Sequence, residues 1–190
     1  MPLTVPPVAD ERDGLLAFLA QQRAALRNAA YGLSDDQART ASTASSLTIG
    51  GILKHVAGAE RDWIDRVAGA APTGPGDPEA YMAGFRMDGD ESLADMLALY
   101  EAATAHTDAV LGGVTDLDAA VALPPAPWFP ASATVRWVLL HLIEETARHA
   151  GHADIIRESL DSASAGELMA AAEGWEPSQW VTPWKPAASV

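Results

Sequence analysis

The chain has 190 residues, of which 48% are hydrophobic and 20% charged, a composition typical of one globular domain. Acidic residues outnumber Lys and Arg by 26 to 12, and the net charge of −14 argues against nucleic acid or an anionic membrane surface as a partner. There is no cysteine, no apolar run of roughly 20 residues and no recognisable signal peptide. We therefore expect one cytoplasmic domain over residues 1–190, in which any thiol chemistry uses a thiol from outside.

Apolar residues recur at helical spacing in four long segments. These segments cover about residues 9–30, 45–69, 91–113 and 132–160. Asp90 is expected to cap the third of them. Ser34 with Gln37, and Ser164 with Glu167, have the spacing of capping boxes, which predicts a short turn after residue 34 and a short helix near residues 164–173.

Two irregular connections separate the predicted helices. Residues 71–90 are rich in Pro and Gly, and a link of about 20 residues indicates either a crossing of the bundle or a functional rim. Four prolines between residues 124 and 130 forbid regular helix in the second connection. No segment alternates convincingly as a strand does. The predicted fold is therefore all-α: a four-helix bundle with long connections and a short C-terminal helix or tail.

The fourth helix places ionisable groups on an otherwise apolar seam. The seam consists of residues 138, 142, 145, 149, 152 and 156. Glu145 and His149 do not suit a core, but a cation would satisfy both, because i, i+4 spacing puts their Cβ atoms about 5–6 Å apart. His55, on an apolar face of the second helix, would complete a set of two histidines and one carboxylate with open positions for water or substrate. Alternatively, Glu145 and His149 form an ordinary surface pair and His55 is a core histidine.

Two segments, SSLTIGGILKHVAGAERDWI and TVRWVLLHLIEETARHAGHADIIRE, resemble the DinB-like superfamily of metal-binding four-helix bundles. Within it the chain resembles the mini-circle protein domain of unknown function, a relative of mycothiol-dependent maleylpyruvate isomerase. The resemblance implies an up-up-down-down bundle, with the metal held by His55, Glu145 and His149. Most DinB-like relatives have His at the position of Glu145, whereas the isomerase-like branch has Glu.

The resemblance also implies a chemistry. The metal would be zinc in the first place, with nickel, manganese or iron as alternatives. Several members are transferases or isomerases that use a small thiol such as mycothiol, and a metal that lowers the pKa of the thiol would promote its attack on a small electrophile. Two other functions stay open: a hydrolase that uses metal-bound water, and a non-enzymatic stress protein that binds a small molecule. The protein is expected to be a monomer or a homodimer.

Four further residues are candidates for the surroundings of the metal. His152, one turn beyond His149, is the candidate for proton transfer, with a solvent-facing histidine as the alternative. Arg148 would contact a carboxylate of the substrate, unless it forms a surface ion pair. Trp63 would form a wall of the cofactor pocket or part of the core, and Trp128 would cover a pocket from the second connection.

Overall fold

The computed structural model describes residues 4–70, 77–124, 127, 129–130 and 132–186. The helices in these ranges are α1 (Glu11–Ala29), α2 (Asp35–Arg39), α3 (Ile49–Val67), α4 (Pro78–Ala83), α5 (Leu93–Gly112), α6 (Val135–Asp161) and α7 (Ala165–Ala172). Two short strands, β1 (Ala120–Ala122) and β2 (Ser132–Thr134), pair antiparallel. The predicted all-α class is confirmed, and α1, α3, α5 and α6 occupy the four segments of helical periodicity. No helix in the described ranges is long and apolar enough to cross a bilayer.

Short polar side chains begin the helices by accepting hydrogen bonds from free backbone N–H groups. The predicted capping boxes at Ser34 and Ser164 are confirmed. The prediction that Asp90 caps the third helix is wrong. Ser92 caps α5 instead, because its hydroxyl accepts from the backbone of Asp95 while the Asp95 carboxylate accepts from the backbone of Ser92.

Side-chain contacts near the helix ends define the directions of the four long helices. The contacts are Arg136–Glu11 and Arg157–Ala29 between α6 and α1, His55–Glu145 and Trp63–Trp137 between α3 and α6, Asp65–His106 between α3 and α5, and Lys54–Glu91 between α3 and the residue two positions before α5. They make α6 parallel to α1, α3 antiparallel to α6, and α5 parallel to α3. The order is therefore up-down-down-up, and the predicted up-up-down-down order is wrong.

The connections explain this order. The end of α1 and the start of α3 lie in the same core cluster, which holds Leu26, Ala29 and Ile49, so the chain reverses between these helices. Because α3 and α5 are parallel, the chain leaves α3 at one end of the bundle and enters α5 at the other end. The connection that the composition marked as a crossing or a rim is thus a crossing, and it also contains α4, which the Pro/Gly content had concealed.

The core has two apolar clusters, one near each end of the long helices. Leu26, Ile52 and Ile156 belong to one cluster, whereas Leu19 and Leu139 belong to the other. Between them lies a layer of buried polar residues, with Arg23 from α1, Glu60 from α3, Thr107 from α5 and Thr146 from α6. The guanidinium of Arg23 and the hydroxyl of Thr107 both donate to the carboxylate of Glu60. This polar layer ties α1, α3 and α5 together at mid-height.

Candidate metal centre

The antiparallel contact between α3 and α6 brings His55, Glu145 and His149 together. Oε1 of Glu145 lies 3.0 Å from Nε2 of His55 and 3.3 Å from Nε2 of His149. One potential ligand atom from each residue lies within 4.8 Å of the others. Both imidazoles are 7% exposed, and the carboxylate is partly buried between them. The two-histidine, one-carboxylate set expected from spacing is therefore assembled in space.

The electrostatics of this cluster suit a divalent cation. Hydrogen bonds from His149, which has the larger effect, and from His55 hold the pKa of Glu145 well below its ordinary value, although burial acts in the opposite direction. The carboxylate is thus anionic at neutral pH. Nδ1 of His149 is buried and meets no hydrogen-bond partner among the described residues. Two imidazole nitrogens and one carboxylate oxygen form a donor set that fits zinc and similar ions and leaves coordination positions open.

Two aromatic side chains from the connection between α3 and α5 cover the centre. The ring of Phe85 stacks on that of His55, with centroids 3.7 Å apart and planes inclined by 17°, and lies 5.9 Å from the ring of His149. Tyr81 of α4 meets the His55 ring edge-on at 5.8 Å. Burial and the negative charge of Glu145 raise the pKa of Tyr81. The sequence does not mark either residue as part of the site, apart from their position in the long Pro/Gly-rich connection.

His152 lies directly beside the cluster. Its ring centroid is 5.3 Å from that of His149, and its Nδ1 is buried without a hydrogen-bond partner in the described part of the chain. A cavity of about 210 Å³ adjoins it between α6 and the segment before α3. Thr43, Ser45 and Leu47 line the side of this cavity opposite α6. The position of His152 at both the cluster and a cavity is compatible with the proton-transfer role expected from the sequence.

Arg148 and Trp63 are placed farther from the three potential ligands. Arg148 is exposed on α6, and its Nη2 donates to Glu144 at 3.0 Å, which is the surface ion pair named as its alternative. Trp63 is 8% exposed and packs against Trp137 and His141, two turns of α3 beyond His55. Trp128 lies outside the described residues.

Comparisons with known proteins found one family and one solved structure that are similar to this chain. A family model described as mycothiol-S-transferase matches residues 14–162, a range that includes all three potential ligands. No curated protein matches the chain. A solved structure of a conserved protein from Enterococcus faecalis is similar, with 12% sequence identity and a TM-score of 0.65, and the match covers 82% of this chain and 100% of that one. At this identity the likeness shows a shared fold alone.

Proposed function

Because the chain belongs to the mycothiol-S-transferase family, a DinB-like family, we propose that it is a divalent-metal-dependent enzyme that transfers mycothiol to a small electrophile. The observation that carries the metal dependence is the convergence of His55, Glu145 and His149 within 4.8 Å. It is the one cluster of this kind in the described part of the chain. The DinB-like bundle thus supplies a rigid frame on which two helices hold the ligands.

In this proposal the three ligands leave the site with a small positive charge. His55 and His149 bind as neutral imidazoles and Glu145 as a carboxylate, so a divalent ion would retain a net charge of about +1. When bound, zinc or a similar ion supplies a Lewis acid that lowers the pKa of a thiol beside it. The partial burial of the cluster strengthens this effect, since charges interact more strongly away from water.

His152 would act as the general base and then as the general acid in the transfer. It takes the thiol proton as the sulfur forms its bond to the electrophilic carbon, and the leaving group departs with the bonding electrons. A basic leaving group takes that proton from His152, whereas chloride leaves as the anion and the proton passes to solvent. The neighbouring cavity of about 210 Å³, with hydroxyl groups from Thr43 and Ser45, would hold part of the substrate. Arg148 would contact a substrate carboxylate at the rim after releasing Glu144. The proposed role of Trp63 is to pack α3 against α6, as the wall beyond the site.

Metal analysis of three purified proteins tests the proposal. The wild type should contain about one divalent ion per chain, and His149→Ala should lose it, because two remaining ligands bind a metal ion far more weakly. His106→Ala is the matched control, since this histidine pairs with Asp65 on the α3–α5 side at 2.7 Å and offers no ligand to the cluster. Equal metal content in the wild type and His149→Ala would refute the metal centre.

The thiol is tested separately. The metal-loaded protein should consume mycothiol in the presence of 1-chloro-2,4-dinitrobenzene, as followed by thiol titration and by the absorbance of the product. Loss of thiol should require the metal and should fall sharply in His152→Gln. Turnover of a substrate without any thiol would favour a metal-dependent hydrolase instead, and metal binding without turnover of a panel of electrophiles would favour a small-molecule-binding protein.

A further inference from the structure

Two consecutive glycines stand in the first turn of α3, although glycine is a poor helix former. A Cβ atom on Gly51 would collide with the carbonyl oxygen of Phe85 and lie 2.8 Å from its carbonyl carbon. A Cβ atom on Gly50 would collide with Sδ of Met87 and lie 3.1 Å from its Cβ. Both glycines have a helical backbone conformation that any residue can adopt. Glycine is therefore needed here because a side chain would not fit beneath the packed segment. Their effect is to let the connection before α5 lie directly on α3.

The close approach at Gly51 places the Phe85 ring on His55. Gly51 and His55 are four residues apart and therefore lie on the same face of α3 in successive turns. The backbone of Phe85 rests on the first of these turns, and its ring stacks on the imidazole of the second with a centroid distance of 3.7 Å. Tyr81 closes one edge of the same imidazole at 5.8 Å.

From this geometry we infer that Phe85 is a positioning residue for the metal ligand His55, and that Gly51 is required because it allows Phe85 to reach that position. The inference rests on the proposed metal function. A flat ring parallel to the imidazole restricts its rotation, so Nε2 stays directed at Glu145 and His149. An imidazole that donates to a divalent ion becomes electron-poor, and the electron-rich face of Phe85 then attracts it more strongly. Phe85 therefore favours the metal-bound state.

The test measures the affinity of the metal-free protein for Zn²⁺ by competition with a chromophoric chelator, together with the visible absorption spectrum of the Co²⁺-loaded protein. Phe85→Leu keeps an apolar side chain but removes the ring, and we expect Zn²⁺ affinity to fall about tenfold or more, as for other residues that orient metal ligands. Phe85→Tyr keeps the ring and should stay within about threefold of the wild type. The Co²⁺ spectrum should change in Phe85→Leu and not in Phe85→Tyr.

A second pair of variants tests the role of the glycine. Gly51→Ala should weaken Zn²⁺ binding as Phe85→Leu does, because the backbone of Phe85 has to retreat from the added methyl group. Gly58→Ala is the matched control on the same helix, since a Cβ atom there meets nothing within 4 Å. Circular dichroism of each variant monitors folding. If Gly51→Ala does not fold, the two Phe85 variants still decide the positioning role of Phe85.

The outcomes separate this inference from the proposed function. If the wild type binds no Zn²⁺, the metal function itself fails. If the wild type binds Zn²⁺ but Phe85→Leu binds it equally well, or Phe85→Tyr is as weak as Phe85→Leu, only the positioning role is overturned. Gly51→Ala binding Zn²⁺ as tightly as Gly58→Ala would overturn the role of the glycine.

Discussion

Replacing Arg23 by methionine should destabilise the protein by about 3–5 kcal/mol, because it leaves a buried carboxylate without its cation. Glu60 is 1% exposed and receives hydrogen bonds from Nε of Arg23 at 3.2 Å and from Oγ1 of Thr107 at 2.6 Å. Nη2 of Arg23 donates to the same carboxylate. Of these three donors only Thr107 remains after the substitution. Domains have unfolding free energies of about 5–15 kcal/mol, so the variant would lose a large part of its stability.

The double variant Arg23→Met/Glu60→Met separates the unpaired charge from the lost packing. Apolar side chains of similar volume can replace a buried ion pair at little cost, so the double variant should lie within about 2 kcal/mol of the wild type. Arg148→Met removes the exposed pair with Glu144 and should cost under about 0.5 kcal/mol.

Urea unfolding followed by circular dichroism gives the three free energies, provided that the denaturant slope is unchanged. The reasoning fails if Arg23→Met costs no more than Arg148→Met, or if the double variant is as unstable as Arg23→Met alone.

Three further predictions concern single substitutions. Glu145→Gln removes the anionic ligand without changing its shape, so metal affinity should fall at least about tenfold; an unchanged affinity would exclude Glu145 as a ligand. Burial and the charge of Glu158 raise the pKa of Asp154 from 3.8 to about 6, so the folded protein loses stability as the pH rises through this interval. Asp154→Asn should therefore raise the unfolding temperature at pH 8 but not at pH 4. The gain in the free energy of unfolding at pH 8 should be no more than about 1 kcal/mol after screening by solvent, and equal effects at both pH values would contradict this cause. Trp184→Ala should cost about 2–3 kcal/mol in a denaturant titration, since the indole lies 4.7 Å from the guanidinium carbon of buried Arg157, and an unchanged midpoint would show that the tail does not stabilise the bundle.

The positions of the long helices could be predicted because they depend on the helical repeat of apolar residues in the sequence. Apolar residues repeat every three or four positions in α1, α3, α5 and α6, and the capping boxes at Ser34 and Ser164 lie within four consecutive residues. The small sheet escaped prediction because strands of three residues are too short to show alternation. Ser92 was missed as the cap of α5 because Asp90 has the same preference for that position.

The residues of the candidate site also fall into two groups, those that the sequence predicts and those that only the tertiary structure identifies. Glu145 and His149 are four residues apart on one helix, so the sequence alone determined that both could reach one ion. From the sequence, His55 could join this pair only if its helix packed against the last long helix. The structure shows this packing, since α3 lies antiparallel to α6 and His55 contacts Glu145. Phe85 was beyond prediction, because its position depends on the path of a long connection.

Local spacing follows from the helical repeat, and the sequence by itself therefore determined the helices, the Glu145–His149 pair and the acidic charge of the chain. The order of the helices, the helix against which each apolar face packs and the residues that cover the candidate metal centre arise from contacts between segments far apart in the chain. The ion pair of Arg23 with Glu60, 37 residues apart, is of this second kind. Such contacts depend on how all four apolar faces are buried at once, and only the tertiary structure decided them.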